Sequence, residues 1–137
     1  MIRMKKYILK IKNNDAIEEK EFYNEADAIQ ELEGYKKDKI YDYTYIALID
    51  VDKNLVLRIL YFTSKNCLDL KDGSFIKLKK EYCEEMEREN IYIVKNINEN
   101  NESCLITCIN SRLPIPVSET VDIKMIELSI GEVSVKI

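Results

Sequence analysis

Three sets of side chains in this sequence have types and spacings that could do chemistry. Asp50 and Asp52 in IDVD stand at i and i+2. On a strand they would point the same way about 6.6 Å apart, at ~3.3 Å per residue, as a carboxylate pair for a divalent cation does. Tyr41, Tyr43 and Tyr45 in YDYTY alternate in the same way. On a strand they would line one face, where a base could stack or a partner could dock. Glu84, Glu85, Glu87 and Glu89 crowd into EYCEEMERE, an anionic surface suited to a basic protein groove.

The aspartate pair resembles the DxD of metal-dependent nucleotidyl and glycosyl transferases, over three residues. Aspartate is also a favoured turn former, and this pair sits between two apolar runs. The expectation is a structural turn and no metal site. Around the tyrosines, Lys36, Lys37, Lys39 and Lys53 are balanced by Asp38, Asp42, Asp50 and Asp52. A platform for nucleic acid needs surplus cations to neutralise phosphates. The tyrosines are therefore expected to form a sheet face against the first helix, continued by Ala47 and Ile49, with Tyr41 and Tyr43 nearest a partner. The candidate partner-binding residues are Tyr41, Tyr43, Glu84, Glu85, Glu87 and Glu89.

What the sequence lacks narrows the chemistry further. It has no histidine, the side chain whose unperturbed pKa suits general acid and base work near neutrality. Ser-His and Cys-His nucleophiles are thereby excluded. Cys67, Cys83, Cys104 and Cys108 follow no zinc-ligand spacing. On a strand Cys104 and Cys108 would stand about 13 Å apart, too far for one ion or one disulfide. They are expected to be reduced, apolar core residues. The only arginines are Arg3, Arg58, Arg88 and Arg112, which leaves few planar forks for phosphate. The sequence reads as non-enzymatic, with no cofactor, and nucleic acid or nucleotide as a partner is disfavoured.

These residues must be positioned by one chain of 137 residues, 46% hydrophobic and 34% charged, with a net charge of −4. That composition suits a globular domain able to bury a core without staples. No apolar run is long enough to span a bilayer, and the start MIRMKKYILKIKNN, a short apolar patch interrupted by lysines, reads as cytoplasmic. Residues 6–12 alternate as a half-buried strand, and IEEKEFY returns after NNDA as a second. Asn24 is placed to cap a helix over 25–36, with Gly34 weakening its end. Strands over 41–50 and 55–62 flank the turn VDKN, in which Asn54 can take positive φ.

Residues 64–74 read as a polar connection. A second helix is expected over 75–89, burying Phe75, Leu78, Tyr82 and Met86 and displaying the glutamates. Strands follow over 91–97, 103–110, 120–129 and 132–137, and Pro114 and Pro116 mark a loop or edge crossing. The fold class expected is α+β, antiparallel sheets with two helices, ordered ββαββ then αββββ. The whole is a single domain, 1–137, whose candidate subdomains 1–63 and 75–137 are joined by 64–74.

The stretch EEKEFYNEADAIQELEGYKK resembles the E-x-F-x-x-x-x-E-A pattern of the arm-binding domain of phage integrases. Phe22 and Asp27-Ala28 occupy the corresponding places. Glu18, Glu19 and Glu21 stand where such a domain needs lysines and arginines, so DNA binding is not carried over. Abundant isoleucine, lysine and asparagine point by association to an AT-rich source, a low-GC bacterium or its phages. The function expected is a cytoplasmic binding protein that occludes a basic protein partner, as a phage or mobile-element inhibitor of a bacterial defence system does, of the anti-CRISPR or another anti-defence type. A toxin immunity protein or antitoxin, and a nucleotide-sequestering protein, are the alternatives, and self-association stays open.

Overall fold

In the computed structural model, which describes residues 5–38, 43–63, 67–111 and 117–131, the alternating Tyr7, Leu9 and Ile11 turn inward from strand β1 (Tyr7–Asn13). Among the described residues the fold is mixed α and β, with two antiparallel sheets and one main helix. The chain divides into two units, Met1–Leu70 and Lys71–Ile137. Among the described residues no helix is long and apolar enough to cross a membrane.

In the first unit β1 pairs with β2 (Ile17–Phe22) across a turn that Asn13 closes. Its Oδ1 accepts the N–H groups of Asp15 at 2.9 Å and Ala16 at 2.7 Å. Helix α1 (Glu25–Asp38) begins where Asn24 Oδ1 accepts the Ala26 N–H at 2.8 Å, satisfying one of the donors that a helix start leaves unpaired. It runs through Gly34 to Asp38, slightly beyond the expected end. Strands β3 (Tyr43–Asp50) and β4 (Leu55–Phe62) form the second hairpin, with Asn54 at φ 50°. The order across the sheet is β2-β1-β3-β4-β5. β5 (Cys67–Lys71) was expected to be loop. Leu68 and Leu70 alternating with Cys67 and Asp69 supply the strand period inside a polar stretch. Ala28 and Leu32 of α1 are packed with Tyr7, Leu9, Ile11, Ile46, Leu48, Leu60 and Phe62.

Tyr43 and Tyr45 do not share a face. β3 pairs Tyr45 with Lys12 but Tyr43 with Asn13, a register shift that inserts one residue and inverts the alternation. Tyr43 turns to the helix side, its ring centroid 5.5 Å from Tyr35, edge-on, and 5.9 Å from Phe62. Ile46 faces the helix opposite Ile11. Tyr45 and Ala47 therefore lie on the other face, where Tyr45 is 1% exposed and Lys12 Nζ stands 5.8 Å from its ring centroid. Tyr41 lies outside the described residues.

The second unit carries the sheet β10-β6-β7-β8-β9, built from β6 (Phe75–Leu78), β7 (Tyr92–Asn98), β8 (Ser103–Cys108), β9 (Ser118–Asp122) and β10 (Ile126–Gly131). Four strands meander, and the last returns to pair with the first, Ile126 opposite Leu78 and Gly131 opposite Phe75.

The helix expected over 75–89 is not formed, and the order αββββ is replaced by five strands. FIKL follows the period of two, burying Ile76 and Leu78. Lys79, Cys83 and Glu84 are extended and break the rest into two short 3-10 turns, Lys80–Tyr82 and Glu85–Glu87. Met86, assigned to the buried stripe, is 90% exposed. The expected strand 120–129 is two strands separated by a 3-10 turn, Ile123–Met125. The buried Ile123 donates its N–H to the Glu102 carbonyl at 2.9 Å. Pro114, Pro116 and residues 132–137 lie outside the described residues.

Candidate functional site

The acidic run lies on the connection between β6 and β7, residues 79–91, in the second unit. Its entrance is fixed where the Lys79 N–H donates to the Met125 carbonyl at 2.8 Å. Its exit is fixed by Asn110, whose Oδ1 accepts the Ile91 N–H and whose Nδ2 donates to the Glu89 carbonyl, each at 2.9 Å. The Ile109 N–H adds a bond to the Ile91 carbonyl at 2.9 Å. Between these anchors single turns are closed by Tyr82 N–H to Lys79 carbonyl at 3.0 Å and Glu87 N–H to Glu84 carbonyl at 2.9 Å. The Cys83 thiol donates to the Lys79 carbonyl at 3.5 Å.

Glu84, Glu85 and Glu89 are exposed and Glu87 is half-buried. Lys77 Nζ reaches Glu89 only at 3.9 Å, and that carboxylate is 95% exposed. Met86, next to Glu85 and Glu87 in the chain, is 90% exposed, and Tyr82 is 42% exposed. Most long apolar side chains of the described residues are buried, so a methionine left in water inside an anionic loop stands out. The connection thus carries an exposed apolar side chain and an excess of carboxylates, Glu81, Glu84, Glu85, Glu87 and Glu89 against Lys79, Lys80 and Arg88.

The aspartate pair is at the β3–β4 turn. Asp50 is buried and its Oδ1 accepts the Lys53 N–H at 3.2 Å, a turn-closing role, while Asp52 is exposed. Among the described residues, no three of His, Cys, Asp and Glu stand together as metal ligands. All four cysteines are unpaired by disulfides. Burial pushes the Cys104 thiol up to about 12 and the Cys67 thiol up to about 11. Neither supplies thiolate for nucleophilic work at neutral pH.

An ionic cluster in the first unit is absent from the sequence reading. Arg58 of β4 is buried, with Nε donating to Asp69 Oδ1 at 2.7 Å and NH2 to Asp69 Oδ2 at 2.6 Å, while NH1 meets Glu33 of α1 at 2.6 Å. Lys36 Nζ donates to the same Asp69 carboxylate at 2.8 Å. Burial pushes the Asp69 carboxyl up, but the bonds from Arg58 and Lys36 outweigh it and hold the group below the usual carboxylate range. Arg58, bonded to Asp69, is held protonated more firmly than an isolated guanidinium. Each charge is matched, so the cluster fastens α1, β4 and β5 together. One arginine inside the apolar run LVLRILYF was the available signal, because a buried guanidinium must bring carboxylates with it.

Tyr43 is half-buried among Tyr35 and Phe62. Thus the structure groups Glu84, Glu85, Glu87 and Glu89 on one connection and places Tyr43 in the other unit. No protein-family model, curated protein or solved structure matches the chain.

Proposed function

We propose that this chain is a non-enzymatic binding protein that occludes a protein partner, docking its 79–91 connection onto a basic surface with an apolar pocket. The observation that carries this reading is Met86, 90% exposed on the same short segment as the exposed Glu84, Glu85 and Glu89. Exposed like charges steer a basic partner and accelerate encounter, and an apolar side chain entering a pocket slows departure. The fixed ends of the connection limit the ordering cost on binding.

Size, acidity, AT-rich composition and the lack of histidine favour an inhibitor of a bacterial defence system, the anti-CRISPR or another anti-defence type, within this class. A toxin-neutralising protein would use the same surface chemistry, and the identity of the captured partner separates the two. The test is capture from bacterial lysate by wild type and by a variant with Glu84, Glu85, Glu87 and Glu89 changed to Lys, followed by association kinetics on the captured protein at two salt concentrations. The variant should lose capture, and the wild-type on-rate should fall with salt, because exposed charges are screened beyond about 8 Å at physiological ionic strength. Equal capture and equal on-rates would leave the segment a solubilising surface and overturn the reading.

A further inference from the structure

We propose that the open edge of β2 takes up an extended segment of a second protein, one with lysine or arginine at alternate positions. This surface is in the first unit and is independent of the 79–91 connection. β2 is an edge of its sheet, and its register shows which backbone groups β1 already uses. The Asn13 N–H donates to the Ala16 carbonyl at 3.0 Å across the turn, making that a hydrogen-bonded pair. Bonded and non-bonded pairs alternate along an antiparallel ladder. Glu18 opposite Ile11, Lys20 opposite Leu9 and Phe22 opposite Tyr7 are therefore the bonded pairs. The N–H and C=O groups of Ile17, Glu19 and Glu21 point out of the sheet edge.

The side chains of those same three residues lie on the face away from α1. Lys20 and Phe22, between and beyond them, turn toward the helix: Lys20 Nζ donates to the Tyr35 hydroxyl at 2.8 Å, and Phe22 packs on the helix-side core. Glu19 and Glu21 are exposed, flanked by Ile17 at 56% and Tyr23 at 55% exposure. An added strand would thus find main-chain groups that no other described residue pairs, two carboxylates at strand spacing and an apolar residue at each end. Main-chain bonds supply affinity in such strand addition, and alternate side chains supply selectivity.

Charge decides the occupant. A second copy of this chain pairing antiparallel about Glu19 would set Glu19 against Glu19 and Ile17 against Glu21, and like charges directly opposite destabilise a sheet. A strand with basic residues at the matching positions removes that penalty. Glu21 already meets Lys6 Nζ at 2.8 Å, but that surface pair is exposed and readily exchanged for another cation.

The probe is a short capped peptide of alternating lysine and valine, titrated into the 15N-labelled full chain. The amides of Ile17, Glu19 and Glu21 should shift and gain protection from hydrogen exchange. The same peptide N-methylated along one edge should bind about tenfold more weakly or worse, as expected where main-chain bonds carry the affinity. Glu19→Pro removes an outward-facing donor without touching the β1 ladder, and with an unchanged melt it should abolish the shifts. Shifts confined to residues 79–91, equal binding of the N-methylated peptide, or full binding by a folded Glu19→Pro variant would each overturn the proposal. The first of these leaves the reading of the acidic connection standing.

Discussion

Asn110 and Ile91 are tied by the Asn110 side chain, whose Oδ1 accepts the Ile91 N–H at 2.9 Å while its Nδ2 donates to the carbonyl of Glu89, also at 2.9 Å. One carboxamide thereby sets the direction in which the acidic connection leaves the sheet. Asn110→Ala should lower stability by about 1 to 3 kcal/mol, two hydrogen bonds at about 0.5 to 1.5 each. It should also raise hydrogen exchange at Ile91. Exchange unchanged in residues 79–91 would show that the β7–β8 ladder alone orders the exit.

Asp69 makes stability depend on acid. Its carboxyl is held below the ordinary range in the folded chain, so the unfolded chain binds its proton more readily. The contribution is fully present above the unfolded value of about 4 and is lost as pH falls through the folded one. Asp69→Asn should cost about 2 to 4 kcal/mol at neutral pH, since Arg58 then keeps only Glu33. In urea unfolding, the gap between wild type and variant should close below about pH 4. A gap constant from pH 7 to 3 would remove the carboxylate as its source.

The two tyrosines should separate in stability measurements. Tyr45→Ala empties a fully buried position and should cost about 3 to 5 kcal/mol. Tyr43→Ala, half-buried against Tyr35 and Phe62, should cost about 1 to 2 kcal/mol. Equal costs would contradict the bulge that sends them to opposite faces.

Gly34 offers a change in the other direction. It is within α1, and a Cβ built there meets nothing within 4 Å. Gly34→Ala should stabilise by about 0.5 to 1 kcal/mol by removing backbone freedom from the unfolded chain. A lower thermal midpoint would mean that the helix ends before Gly34 in solution.

The first unit was largely legible because its signals are local. KYILKIK alternates, Asn24 caps, and the VDKN turn asks for an αL residue that Asn54 supplies at φ 50°. The misreadings have physical causes. EYCEEMERE has helix-forming composition, yet propensity is a weak prior where no apolar stripe is buried. The nearby FIKL fits either period over so short a span. The inversion at Tyr43 depends on one inserted residue opposite Lys12 and Asn13, which alternation alone does not reveal. Of the candidate site, the glutamates were visible as a charge run. The exposure of Met86 was not, because the expected helix would have buried it.

The position of β1 between β2 and β3 has a consequence during synthesis. The β1–β2 hairpin can close in microseconds once its residues emerge, but the other edge of β1 must wait for β3, which ends at Asp50. At about 5 to 20 residues per second, the nascent chain carries that edge unpaired for on the order of a few seconds. Lys10 and Lys12, alternating with the apolar residues of β1, put charge on the waiting strand and discourage neighbouring chains from pairing with it on the polysome.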